Sequence, residues 1–151
     1  PRTVAQRELE HLGAALGWRE DQLRVAPVRQ NEGPGNALLA TVVYENLSEV
    51  FTQFGEKGVS AEKIARDLVR EVRAYQMSDA ALGPHLADQW GLPLALAVWK
   101  RQREAAFTCT ELTAHAKTNF EVIGQFLPVK FSTSSSESGW RVTAKHSKQS
   151  G

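Results

Sequence analysis

The chain has 151 residues, of which 42% are hydrophobic and 23% charged, and its formal net charge is +1. These values are typical of an ordinary soluble globular protein of one domain or two small ones, and they exclude a strongly basic nucleic-acid arm. A single cysteine, Cys109, excludes an intrachain disulfide and a cysteine-rich zinc site, so a reducing, cytoplasmic setting is expected. No apolar run approaches the roughly 18 residues that a membrane span needs.

The first half of the chain begins and ends with helical patterns. Apolar residues recur at helical spacing over residues 3–16, and Ile64, Leu68, Val72 and Tyr75 form one stripe of a helix over 61–76. Three strands are predicted between these helices, at residues 22–28, 37–45 and 48–55. The segment 31–36 is dense in turn formers.

A hinge predicted at residues 77–85 separates this half from a second one. The second half begins with a helical segment over 86–104, which the pattern predicts to be interrupted around Gly91 and Pro93. A strand (106–112), a helix (114–127) and a terminal hairpin (128–134 and 140–145) with a Ser-rich link are predicted to follow. The tail after Lys145 is expected to fray.

The residues with the clearest chemical potential are "HLADQ" at 85–89 and His115. Asp88 could orient an imidazole or hold a metal-bound phosphate, and an imidazole with one free nitrogen is a competent nucleophile toward phosphorus. His115 precedes an apolar stretch, where it could cap a helix, pack in a core or react. Spacing alone leaves these three roles open.

Three further patterns have ordinary alternatives. "GPGN" at 33–36 lacks the lysine of a Walker loop and is predicted to be a turn. The segment 54–62 leads into a helix N-terminus that could receive an anion, or is a turn with solvated charges. Basic residues at 100–103 beside Trp99 could contact a nucleic-acid backbone or form the solvated end of a helix. The histidines lack paired ligand spacing, so no structural metal site is predicted.

Four long motifs, taken together and in order, resemble the C-terminal part of the RNA 3'-terminal phosphate cyclase family. They are "GPGNALLATV", "FGEKGVSAEKIARDLVREVRAY", "HLADQWGLPLALA" and "FTCTELTAHAKTNFEVIGQFLPVKF". The resemblance is collinear over residues 1–131. It implies an α/β (α+β) fold in which residues 1–77 form a small inserted α/β domain, incomplete at its N-terminus. Residues 78–151 would form a sheet-plus-two-helices unit of the family's large catalytic domain. The low complexity of the tail, and not the resemblance, predicts that residues 145–151 are disordered.

The same resemblance implies an enzyme of the ligase, nucleotidyl-transfer type. Family members use ATP and a divalent metal, Mg or Mn, to convert RNA 3'-phosphate ends into 2',3'-cyclic phosphates through a histidine-AMP intermediate. His115 matches the adenylylated histidine, in the context "HAKTN", and Asp88 is placed to orient it or to engage the metal-phosphate group. The stretch that lines the nucleotide matches His85, Leu86, Ala87, Asp88 and Gln89.

The chain departs from the family pattern at two places. His85 stands where cyclases commonly carry Tyr, and residues 98–106 replace a shorter Gly-rich link. The family's N-terminal portion has no counterpart, so a longer protein is expected, and this part alone could be inactive. The alternative is a non-catalytic cyclase-like RNA-binding or ribosome-assembly protein. Such relatives lose the nucleophilic histidine, so "HAKTN" favours the enzyme.

Overall fold

The computed structural model describes residues 2–27, 35–137 and 139–147, and the chain divides into two compact units, residues 1–74 and 75–151. The fold mixes helices with two small antiparallel sheets, which confirms the predicted α+β class. The elements up to the end of the first unit are α1 (Arg2–Leu16), a single-turn 3-10 helix (Glu20–Gln22), β1 (Ala37–Val43), β2 (Ser48–Phe54) and α2 (Ala61–Gln76).

The first unit is built on a hairpin with one buried side. β1 and β2 pair antiparallel, with Ala40 opposite Phe51, and both of these side chains are buried. Leu39 and Val50, whose side chains point the other way, are exposed, as the alternation of a half-buried sheet requires. The predicted stripe of α2 is buried, and Gln53 of β2 donates to Glu71 of α2 at 2.6 Å.

Polar contacts join α1 to α2 along their lengths. Arg7 forms an ion pair with Glu62 at 2.6 Å, and the Arg73 guanidinium donates to the carbonyl oxygen of Ala15 at 2.5 Å. Hydrogen bonds from its own backbone, and then from Arg7, lower the pKa of the Glu62 carboxyl. The first turn of α2 therefore already holds a carboxylate of this chain, which argues against a free anion site there.

The prediction of a strand at residues 22–28 is wrong for the residues that the structure describes. Gln22 ends the 3-10 helix, residues 23–27 have no regular structure, and Val28 lies outside the described residues. Leu23 packs so tightly over Gly13 that a Cβ there would lie 2.6 Å from a Leu23 methyl. This packing on α1 replaces strand pairing. Of the predicted turn at 31–36, only Gly35 and Asn36 are described.

The second unit is a three-stranded sheet with two helices on one face. Its elements are α3 (Pro84–Arg101), β3 (Ala105–Cys109), α4 (Ala114–Phe126), β4 (Val129–Ser136) and β5 (Gly139–His146). The strands lie in the order β3-β5-β4 and pair antiparallel. On β5, Val142 and Ala144 face the helices and are buried, whereas Arg141 is exposed on the other side. The core cluster between the layers contains Ala95, Val98, Ile123, Val129 and Ala144.

Two predictions for the second unit need correction. α3 runs unbroken through Gly91 and Pro93. Pro93 has no amide hydrogen to donate to the carbonyl oxygen of Gln89, but Gln89 is exposed, so water can take the place of the missing donor. The terminal hairpin is also longer than predicted, since β4 continues through the serines to Ser136. Residues 98–101 form the last turn of α3, and Gln102 ends it with a left-handed φ of 50°. Part of the segment 98–106, which stands where the family has a shorter link, is thus helical.

Gly91 allows the close approach of α3 and α4. A Cβ at this position would lie 2.6 Å from Cε1 of Phe120. The Phe120 ring cannot move aside easily, because it stacks on Phe131 with centroids 4.5 Å apart and meets Phe107 edge-on at 6.5 Å. A side chain at residue 91 would therefore push the two helices apart.

We expect Gly91→Ala to lower the free energy of unfolding, because overpacking costs about 1–3 kcal/mol and outweighs the gain of about 1 kcal/mol in helix propensity. Gly124→Ala is the matched control, since its Cβ would have only the carbonyl oxygen of Val129 nearby, at 3.4 Å. Urea unfolding of both variants measures the difference. Equal stability of the two variants would contradict this account of the helix contact.

Candidate functional site

The first turn of α4 leaves the His115 side chain accessible. Thr113 is the N-cap of the helix, with a backbone φ of −65° and ψ of 161°, and its hydroxyl accepts from the Ala116 amide at 3.1 Å. His115 is the second residue of the helix and is exposed. Within the described part of the chain, its imidazole has no hydrogen bond or ion pair. Of the three roles that the sequence left open, capping belongs to Thr113 and core packing is excluded.

A neighbouring cation ties the same turn to the sheet. The Lys117 ammonium lies over the ring of Trp140 in β5, 5.5 Å from its centroid. The amide groups of the first helical turn also carry the positive end of the helix dipole. His115 thus lies in a turn with partial positive charge, whereas Lys117, two residues further on, points to another side of the helix.

The stretch predicted to line a nucleotide forms the start of α3. Pro84 is the first helical residue, after Gly83 as N-cap. The helix turns the five predicted side chains in different directions: His85 and Gln89 are exposed, Leu86 and Asp88 are half-buried, and Ala87 is fully buried against the core. Four of the five side chains are therefore reachable from outside, and Ala87 is available only through its backbone.

Asn119 joins the two helices at the candidate site. Its side-chain nitrogen donates to the backbone oxygen of Asp88 and to the carboxylate oxygen Oδ1 of Asp88, each at 3.0 Å. Asn119 follows His115 by four residues, so the two lie on the same side of α4. The structure therefore connects Asp88 to the helix that carries His115. Sequence reasoning did not single out Asn119, although its spacing from His115 was a usable signal.

Cys109 is the other potential nucleophile of the second unit, and its surroundings make it unreactive. Its side chain is fully buried at the end of β3. Burial raises the pKa of the Cys109 thiol to about 11. Because the thiolate is the nucleophilic form, the thiol is inert near neutral pH. His115 and Cys109 thus differ in access, since the imidazole is exposed and the thiol is buried.

The described residues do not group three His, Cys, Asp or Glu side chains where they could hold one metal ion. Asp88 is the carboxylate of α3 that contacts α4, through Asn119. A divalent ion at this site would need other oxygen donors, and nucleotide phosphates are of the right chemical kind.

Two other sequence candidates have structural explanations. In "GPGN", Gly33 and Pro34 lie outside the described residues, and the Asn36 amide donates to both carboxylate oxygens of buried Glu8, at 2.7 and 2.9 Å. The basic residues Lys100 and Arg101 lie in the last turn of α3, where cations suit the helix dipole. None of the helices in the described ranges has the length and apolar character of a membrane span.

Comparison with known proteins identifies the relatives of the chain. Residues 1–76 match a sequence model described as the insert domain of RNA 3'-terminal phosphate cyclase. The chain is 45% identical over 142 residues to the RNA 3'-terminal phosphate cyclase of Salmonella enteritidis, an alignment that covers 94% of this chain and 40% of that protein.

Two further relatives carry the same name. The protein of Koribacter versatilis is 42% identical over 142 residues, with 94% of this chain and 39% of the relative covered. The protein of Salmonella heidelberg is 50% identical over 110 residues, with 73% and 30% covered. The chain thus spans about 40% of the length of the first of these relatives.

We expect Thr113→Ala to lower the free energy of unfolding by about 1 kcal/mol, because the Ala116 amide loses its cap. Thr118→Ala is the matched control, since Thr118 is an exposed residue inside the same helix. Chemical denaturation followed by circular dichroism measures both variants. A Thr113→Ala variant as stable as the control would show that the cap contributes nothing.

We also expect Cys109 to resist iodoacetamide at pH 8 in the folded protein and to react once the chain is unfolded. The reason is that burial both shields the thiol and keeps it protonated, with a pKa of about 11. Mass spectrometry of the alkylated protein measures the extent of reaction. Rapid alkylation under native conditions would contradict the buried placement of Cys109.

Proposed function

Since the chain belongs to the RNA 3'-terminal phosphate cyclase family, we propose that it takes part in the ATP-dependent conversion of RNA 3'-phosphate ends to 2',3'-cyclic phosphates. The observation that carries the proposal is the exposed His115 at the start of α4, with Asp88 joined to the same helix through Asn119. The chain spans about 40% of the length of its relatives. We therefore assign the activity to this chain together with the portion of the cyclase that it does not cover.

In the first step, a nitrogen of His115 attacks the α-phosphorus of ATP. A P–N bond forms, the bond from that phosphorus to the bridging oxygen breaks, and pyrophosphate leaves. The positive end of α4 stabilises the negative charge that gathers on the phosphate oxygens. Exposure of His115 matters here, because the nucleophile must reach the phosphorus in line with the leaving group.

Asp88 acts on the same step in one of two ways: it accepts a hydrogen bond from the imidazole, or it engages the metal that accompanies the nucleotide. When bound, the metal, Mg or Mn, would neutralise part of the negative charge of the triphosphate. The accessible parts of the first turns of α3, from His85 to Gln89, line the nucleotide. His85 offers a flat ring for stacking where family members commonly have Tyr, with a different hydrogen-bonding capacity.

Two transfers complete the reaction. An oxygen of the RNA 3'-phosphate attacks the AMP phosphorus, so that the P–N bond breaks and His115 is released. The neighbouring 2'-hydroxyl then attacks the RNA phosphorus, loses its proton and expels AMP. By itself, the terminal phosphate lacks a good leaving group, and adenylylation provides the one that ring closure needs.

A reducing cytoplasm suits the unpaired thiol of Cys109.

A non-catalytic, RNA-binding role in ribosome assembly is the competing proposal. It requires no nucleophile, so an exposed histidine at the start of α4 would have no purpose in it. The two proposals differ in one measurable property, which is covalent attachment of AMP to the protein.

We expect covalent labelling by α-phosphate-labelled ATP and Mg²⁺ in a chimera of the Salmonella enteritidis cyclase in which this chain replaces the matched 142 residues. His115→Ala should reduce the labelling at least 100-fold, because the P–N bond cannot form. The label should be lost in acid and kept in alkali, as a phosphoramidate requires. His11→Ala, in α1 of the other unit, is the histidine control and should label normally.

Labelling that survives His115→Ala would overturn the assignment of the nucleophile. RNA binding by the chimera without any covalent AMP would instead favour the non-catalytic role. The chain alone belongs in the same experiment, because label on it would show that the remaining portion is dispensable for the first step.

A further inference from the structure

The Asn119 amide makes both of its donor hydrogen bonds to a single residue. The partners are the backbone oxygen and the carboxylate oxygen Oδ1 of Asp88, each at 3.0 Å. Both partners are acceptors, so the nitrogen of the amide must face Asp88 and its oxygen must point away. Chemistry alone thus fixes the orientation of the Asn119 side chain.

These two bonds also restrict Asp88. They tie its carboxylate and its own main chain to the same nitrogen, which limits rotation of the carboxylate about the side-chain bonds. Asp88 is half-buried, and its other oxygen, Oδ2, has no hydrogen-bond partner among the described residues. One oxygen of the carboxylate is therefore committed to the fold, and the second remains free to act on a ligand or on an imidazole.

The link from Asn119 to His115 is rigid. Four residues of α-helix separate them, a rise of about 6 Å along the axis. Thr113 caps the helix at one end of this segment, and Phe120, next to Asn119 in sequence, packs against Gly91 of α3 at the other. Asn119 consequently defines where the Asp88 carboxylate lies relative to the turn of helix that carries His115.

We propose that Asn119 is a positioning residue for the adenylylation of His115, which holds the Asp88 carboxylate with its free oxygen directed at the reacting groups. This inference rests on the proposed function. It adds a specific role for a residue that makes no step of the chemistry itself. Because Asn119 acts through Asp88, its loss impairs the reaction more than it impairs folding.

Two variants of the chimera described above test the role. Asn119→Ala frees the carboxylate and should lower the rate of histidine adenylylation at saturating ATP about 10- to 100-fold, as loss of an orienting partner typically does. Asn119→Asp keeps the size of the side chain but sets a second carboxylate against Asp88. At pH 8 its rate of adenylylation should be lower than that of Asn119→Ala. Near pH 6, where two carboxyls can share a proton, its rate relative to wild type at the same pH should rise.

Two controls separate positioning from stability. Gln53→Ala removes a similar amide–carboxylate contact, the one between Gln53 and Glu71 in the first unit, and should label at the wild-type rate. Val98→Ala weakens the core of the second unit near the C-terminal end of α3, away from Asp88, and leaves the Asn119 amide in place. At a temperature where all variants are folded, it should label faster than Asn119→Ala.

The outcomes distinguish the two proposals. If the wild-type chimera is labelled and Asn119→Ala is labelled at the same rate, the positioning role is overturned and the proposed function is not. Equal losses in Asn119→Ala and Val98→Ala, with no recovery of Asn119→Asp near pH 6, would reduce Asn119 to a structural contact and overturn it as well. No labelling of the wild-type chimera would overturn the proposed function, and the positioning role with it.

Discussion

The close contact between Gly91 and Phe120 is the constraint on which the candidate site depends. The missing side chain at residue 91 lets α3 approach α4, and the Phe120 ring that fills the space is itself held between Phe131 and Phe107 of the sheet. At this separation, the short Asn119 side chain reaches Asp88. A wider spacing would leave Asp88 and the turn that carries His115 on two unconnected helices. The link between Asp88 and the turn that carries His115 therefore depends on an aromatic contact in the core.

Local sequence patterns were sufficient for most of the fold, and tertiary packing explains where they failed. The stripe from Ile64 to Tyr75 predicted the bounds of α2 correctly, because its helical period is strong. Pro93 suggested a break in α3, but the exposed helix face tolerates one missing donor while Gly91 and Ala95 stay packed. Residues 23–27 looked strand-like, yet Leu23 lies on Gly13 of α1. Neither the unbroken α3 nor the irregular segment can be predicted from a short stretch of sequence.

The candidate site shows the same division between local and long-range information. The sequence suggested His115 and Asp88, and it could not decide between a capping, a core and a reactive role for the histidine. That choice required the hydrogen bond of Thr113 and the exposure of the imidazole. Asn119 was missed because its value lies in a contact with a residue 31 positions away. Only the crossing of α3 and α4 brings the two together.

In the first two turns of α4, the residues that stabilise the fold do not include His115. Thr113 caps the helix, Ala116 and Phe120 fill the core, and Lys117 contacts Trp140. His115 lies among them without a hydrogen bond or ion pair to the described residues, so the fold gains little from having an imidazole at that position. A scaffold protein would lose nothing by replacing it. A histidine that folding does not require, on the helix whose Asn119 holds the Asp88 carboxylate, is consistent with the proposed reaction of His115 with ATP.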